Sequence, residues 1–112
     1  MTLFEWMLVG HFVGDYLFQT SWMADKKVNM WTPLVIHSAV YTAAVTLLAL
    51  PAGKLLPPLA IALIFFSHIL LDRRFFVEFW IKKVTRAENT EWLKVVIDQT
   101  WHIVILALVT LI

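Results

Sequence analysis

The stretch that decides the fold runs from residue 28 to residue 53, VNMWTPLVIHSAVYTAAVTLLALPAG. It contains no Asp, Glu, Lys or Arg and exceeds the ~20 apolar residues that a transmembrane helix needs. Pro51 and Gly53 supply turn residues at its end. A third apolar segment opens after Pro57 and Pro58, runs uncharged from Leu59 to Leu71 and closes on Asp72, Arg73 and Arg74. The first, Leu3 to about Thr20, and the fourth, Glu91 to Ile112, are apolar with one or two acids inside. The first opens on Glu5 rather than on a basic region and lacks a small-residue cleavage site, so it reads as a retained helix, not a signal peptide. The expectation is an all-α integral membrane bundle of four transmembrane helices, one domain over residues 1–112.

Composition points the same way. The 112 residues are 61% hydrophobic and 15% charged, with mean hydropathy +0.78, whereas a soluble domain carries about a quarter charged residues. That excludes a soluble enzyme, a disordered tail and a large extramembrane domain. The absence of cysteine removes disulfides, thiolate metal sites and a cysteine nucleophile. A net charge of +1 gives no electrostatic footprint for a nucleic-acid partner.

Between the third and fourth spans, Phe75 to Thr90 places Phe75, Phe76, Phe79 and Trp80 ahead of Lys82, Lys83 and Arg86. This predicts a short amphipathic interfacial segment, aromatics toward lipid and cations toward headgroups. Asn89 or Thr90 is placed to cap the fourth helix, with Glu91 in its first turn. Trp22, Trp31, Trp80 and Trp92 fall near span ends, where belt residues anchor. The first connection holds Lys26 and Lys27, the third holds most of the remaining cations, and the second holds only Lys54. By the positive-inside rule the first and third connections face the cytoplasm, and both termini of a bacterial inner-membrane protein then face the periplasm.

Polar residues inside the spans carry the functional signal, because an ionisable group at membrane depth costs roughly 2.5 to 3.5 kcal/mol even on the lenient scale. His11 has Asp15 four residues on, His68 has Asp72 four residues on, His102 has Asp98 four residues back, and His37 has Tyr41 at the same spacing. Measured from the cytoplasmic end of each span, these groups lie within roughly 2 to 15 Å, all in one half of the bilayer. Gln19 and Gln99 add polar groups at similar depth. Imidazole and carboxylate are the usual ligands of Zn and other divalent ions, and bundle interiors host such sites. With four histidines and three aspartates, either several ions bind or some groups orient others. An open metal site activates water and polarises a phosphoryl or carbonyl oxygen, so the implied reaction is hydrolysis. The competing structural reading is a set of polar clamps between helices, worth about 0.6 kcal/mol each. Gly10 and Gly14 form a GxxxG-like pair beside His11 and Asp15, which predicts close helix packing there.

Over essentially its whole length the chain resembles a family of small bacterial membrane proteins catalogued only as a domain of unknown function. The resemblance rests on HFVGDYLFQTSWMADKK (11–27), a histidine in the second span, SHILLD (67–72) and DQTWH (98–102). More locally, HFVGD with Gln19 resembles a ligand helix of the zinc-dependent phospholipase C and single-strand nuclease superfamily, whose zinc cluster is built partly from two His-x-x-x-Asp helices. That resemblance implies His11, Asp15, His68 and Asp72 as metal ligands. The chain has Thr20, Ser21 and Trp22 where that superfamily places a further histidine, and begins Met1-Thr2 instead of with a tryptophan amine. His37 and His102 are available to fill those places.

The function expected is a membrane-embedded, metal-dependent hydrolase of a phosphoester or related bond in an amphiphilic substrate. Its divalent ion is expected to be Zn, with Mn as the alternative, held by His11, Asp15, His37, His68 and Asp72. Asp98 and His102 act as acid and base, and Gln19, Lys26, Lys27, Arg73 and Arg74 attract the headgroup. The alternatives are an ion or proton transporter, since rows of Asp and His also mark ion paths, and a non-catalytic membrane module. A thin bundle of four short helices also admits a homodimer.

Overall fold

A computed structural model describes all 112 residues, and every regular element in it is helical. Helix α1 covers Leu3–Phe12 and continues into a π-helical turn, Val13–Leu17. Its start is a capping box: Thr2 Oγ1 accepts from the Glu5 amide at 3.2 Å and the Glu5 carboxylate accepts from the Thr2 amide at 3.1 Å. Thr20 caps the short α2, Ser21–Lys26. Helix α3 covers Trp31–Leu48, with Pro33 in its first turn, where no amide partner is lost. A 3₁₀ turn, Leu50–Ala52, ends at Gly53, whose φ of 76° is open to glycine without strain. Helix α4, Pro58–Asp72, starts with proline at its first position, as preorganised φ favours. Arg74 at φ 73° breaks the helix and redirects the chain into α5, Phe75–Trp80, followed by a π-helical turn, Ile81–Thr85. Helix α6 is Glu91–Val109, with Thr90 at its N-cap position making no side-chain cap bond.

Helices α1, α3, α4 and α6 form a ring in which each packs on the next and α6 closes onto α1. Neighbours are antiparallel. Gly10 lies against Val45 and Gly14 against Tyr41, so α1 ascends as α3 descends. The contact is backbone to backbone: a Cβ on Gly10 would stand 2.8 Å from the Val45 Cα, and one on Gly14 would stand 2.9 Å from the Tyr41 Cα. The GxxxG reading is therefore realised as the closest helix approach in the fold's first hairpin.

Two helical stretches are long and apolar enough to cross a membrane: Trp31–Ala52, with 22 residues and mean hydropathy 1.7, and Glu91–Val109, with 19 residues and mean hydropathy 1.5. Helix α4 has 15 residues, roughly 22 Å at the helical rise. The first segment ends its helix at Leu17, earlier than Thr20, because Phe18 leaves the helical region and Thr20 is recruited to start α2. The fourth ends at Val109 with Thr110 as its cap.

Burial is distributed unusually. Of the 28 buried residues, eight are polar or charged, while Leu17, Leu55, Phe75 and Leu111 are each more than 70% exposed. One apolar cluster, including Met7, Val45, Ile64 and Leu106, fills one end of the ring. A second, Leu71, Val77, Ile81, Ala87 and Ile97, seats α5 at the other end. The polar residues lie between them. The segment after α4 is amphipathic, with Lys82 and Lys83 exposed, but its aromatics divide. Phe75 and Phe79 face outward, whereas Phe76 and Trp80 pack edge-on against Trp101 at 4.9 and 4.8 Å. Trp80 is thus a packing residue, not a belt anchor.

Replacing Gly14 with Leu forces α1 off α3. We expect a destabilisation of about 1–3 kcal/mol or more, read as a lower melting temperature in detergent; an unchanged melting temperature would contradict the backbone contact.

Candidate metal centre

Each ring helix sends its polar residues to the same layer. From α1 and its π-helical turn come His11 and Asp15, from α3 His37, Ser38 and Tyr41, from α4 His68 and Asp72, and from α6 Asp98, Gln99 and His102. The π-helical turn carries Asp15 itself, and such turns recur at functional sites.

Four atoms from three elements converge at the centre. His37 Nε2 is 3.2 Å from Asp15 Oδ1 and 3.1 Å from Asp72 Oδ2, and His68 Nε2 is 3.2 and 3.4 Å from the same two oxygens. All four residues are buried, and their ligand atoms fit within a span of 4.8 Å. A tetrahedral ion with bonds of about 2.0–2.1 Å sets neighbouring ligand atoms about 3.3 Å apart. Four edges of such a tetrahedron are therefore present. The donor set, two imidazoles and two carboxylates, suits a divalent ion.

Hydrogen bonding within the group supports this fit. His37 is fully buried, yet neither of its ring nitrogens has a hydrogen-bond partner, despite the two carboxylate oxygens beside Nε2. Leaving a buried donor or acceptor unsatisfied costs about 1–3 kcal/mol. A cation shared with Asp15 and Asp72 removes that cost for Nε2.

The surrounding side chains orient the four. Ser38 Oγ lies 3.1 Å from His68 Nδ1. When Nδ1–H donates to that hydroxyl, the Nε2 lone pair points at the centre. Tyr41 stacks on His68 with ring centroids 3.9 Å apart. His102 Nδ1 lies 2.7 Å from the Asp98 carbonyl oxygen and Nε2 lies 3.1 Å from Asp72 Oδ1, fixing the oxygen of Asp72 that faces away from the other imidazoles. Gln19 Nε2 donates to the Asp15 carbonyl at 2.8 Å, securing the backbone of the π-helical turn. Lys27 Nζ reaches Asp72 Oδ2 at 2.9 Å as an ion pair and is the cation that enters the cluster.

The structure separates the expected ligands. His37, His68, Asp15 and Asp72 come together, while His11 stands outside this group. Both its nitrogens are taken, Nδ1 by the Tyr41 hydroxyl and Nε2 by Gln99 Oε1, each at 2.8 Å. Its contact with Asp15 is 3.7 Å. Asp98 and His102 form a second possible group with Asp72. The Asp98 carboxylate is 15% exposed, and its Oδ1 has no hydrogen-bond partner. Among the cations expected to attract a headgroup, Lys27 reaches the cluster, Arg73 lies over Trp31, Arg74 pairs with Glu78 at 3.5 Å, and Lys26 is exposed. Ser38 was not singled out from the sequence; its only signal was a hydroxyl beside His37 in an otherwise apolar run.

These features define an all-helical bundle whose interior holds a His/Asp cluster able to take a metal ion. The chain belongs to the family described as a protein of unknown function (DUF3307), whose profile matches residues 3–112. Comparison with curated proteins and with solved structures returns no match. The local resemblance to the phospholipase C and nuclease superfamily has no support among these findings.

Ser38→Ala is expected to weaken divalent-metal affinity about 10- to 100-fold, the usual effect of losing a residue that orients a ligand, while leaving stoichiometry intact. His37→Ala should abolish binding. Equal metal affinity in all three proteins, measured by competition with a fluorescent chelator, would refute the assignment.

Proposed function

We propose that this protein is an integral membrane, metal-dependent hydrolase, acting on a phosphoester or related bond of an amphiphilic substrate. The observation that carries this reading is the set of four 3.1–3.4 Å contacts joining His37 and His68 to Asp15 and Asp72 inside a bundle whose exterior is apolar. In it all four ring helices lie in the membrane, and the first segment and α4 meet a locally thinned bilayer or are flanked by snorkelling side chains. The Lys/Arg-rich connections face the cytoplasm, which puts both termini in the periplasm of a bacterial inner membrane.

The N₂O₂ donor set favours Zn, with Mn next. A divalent ion held by His37, His68, Asp15 and Asp72 would supply Lewis acidity toward a phosphoryl or carbonyl oxygen that enters beside those four groups. Asp98, with its unpartnered oxygen at the edge of the cluster, takes the proton of the attacking water and returns it to the leaving alkoxide as the ester bond breaks. His102, engaged through both nitrogens, holds Asp72. Once a divalent ion balances Asp15 and Asp72, the Lys27 ammonium has charge to offer an anionic substrate group.

The transporter alternative requires polar groups through the full thickness. The ring instead closes with Met7, Val45, Ala60, Ile64 and Leu106, all at most 1% exposed. This end offers no path for ions within one chain.

Elemental analysis of detergent-purified protein is expected to find about one divalent ion per chain, lost in Asp72→Asn. Asp98→Asn should keep the metal and lose hydrolysis of an acylated phosphodiester by about 10²–10⁴-fold, the contribution of one general base. Metal-free wild-type protein would overturn the proposal, as would ion flux in liposomes that Asp98→Asn abolishes.

A further inference from the structure

A groove of about 270 Å³ lies on the outside of α4, lined by Trp31, Phe66, Ile69, Leu70, Arg73 and Phe75. Phe66, Ile69, Leu70 and Arg73 follow the spacing i, i+3, i+4 and i+7, so they form one stripe along the helix. The stripe spans roughly 10 Å at the helical rise. It is apolar along two turns and ends in a guanidinium.

Arg73 is the one Lys or Arg side chain with a nitrogen buried without a hydrogen-bond partner. Its neighbours in the fold are paired, Lys27 with Asp72 and Arg74 with Glu78, whereas Arg73, like five of the other cations, makes no ion pair. It is half-buried, and its Nη1 is buried without a hydrogen-bond partner. Its carbon lies 4.4 Å from the centroid of the Trp31 ring. This cation–π contact anchors the group on the indole, and with only Nη1 buried, the Nε and Nη2 donors make no bond within the chain and can receive phosphate oxygens in a bidentate manner. A half-buried charge with a fixed geometry and no counter-ion calls for an anion. The apolar stripe beside it calls for a chain.

We infer that this groove is a binding site for an anionic phospholipid, its phosphate on Arg73 and one acyl chain along Phe66, Ile69 and Leu70. The inference rests on the membrane reading of the bundle but not on hydrolysis, because the groove occupies a different face of α4 from the buried His68 and Asp72. Charge complementarity selects the lipid: the groove offers a cation at the end of α4 that adjoins the Lys/Arg-rich connection, where anionic headgroups lie.

The test uses the full chain reconstituted in nanodiscs of phosphatidylcholine, then titrated with phosphatidylglycerol of the same chain length and read by native mass spectrometry of the released protein. Wild type is expected to retain one phosphatidylglycerol about tenfold more often than phosphatidylcholine. Arg73→Gln should lose that preference while keeping the wild-type melting temperature in detergent, which shows that the variant is folded. Phe66→Ala should weaken retention of both lipids. Equal retention of the two lipids by wild type, or an undiminished preference in Arg73→Gln, overturns the inference. Glycerol phosphate that competes as well as the intact lipid would also overturn it, since the site would then hold free phosphate. Failure of the protein to enter nanodiscs would overturn the membrane reading itself, an outcome distinct from insertion without lipid preference.

Discussion

Two carboxylates placed away from water dictate the rest of the molecule. Asp15 and Asp72 are 4% and 3% exposed, and a buried ion costs several kcal/mol unless paired and hydrogen-bonded. With neutral imidazoles, their two negative charges face one ammonium, Lys27, which leaves one charge uncompensated. A divalent ion between His37, His68 and both aspartates would remove the deficit. The glycines of α1 serve the same end, since Gly14 brings the π-helical turn against α3 and so carries Asp15 to the imidazoles.

The polarity of the bundle is reversed relative to a soluble one. Imidazoles, carboxylates and hydroxyls occupy the middle of the ring, and aliphatic and aromatic side chains cover its outside. In α6, long and apolar enough to cross a membrane, 22% of the apolar stretch is buried within the bundle, and in the proposed membrane setting the remainder faces lipid. Several of the interior polar groups are paired across helices, as with His11 between Tyr41 and Gln99 and His102 against Asp72, while His37 and Asp98 keep unpartnered atoms.

Much of this was legible in the residues. The uncharged run 28–53 marks α3, Pro57 and Pro58 mark the start of α4, and Gly10 with Gly14 marks the close contact of α1. The shared depth of the His/Asp positions foretold the polar layer. What the sequence concealed was partner choice. Spacing of four pairs residues on one helix, so it joined His11 to Asp15 and His37 to Tyr41. The fold instead turns Asp15 toward His37 and His68 and gives Tyr41 to His11 and His68. Periodicity along one helix carries no information about rotation of the neighbouring helix, and the π-helical turn at Val13–Leu17 shifts Asp15 out of strict α register. Lys27 was equally hidden, since a lysine in a basic connection has no sequence mark that sends it inward to Asp72.

The most direct measurement is X-ray absorption at the metal edge on the purified, metal-loaded protein. Two imidazoles and two carboxylate oxygens around one ion should give a first shell of four nitrogen and oxygen neighbours at about 2.0–2.1 Å, with the outer-shell scattering of two histidines. A six-oxygen shell without histidine scattering would show that the ion is held elsewhere, and the centre described by His37, His68, Asp15 and Asp72 would be wrong.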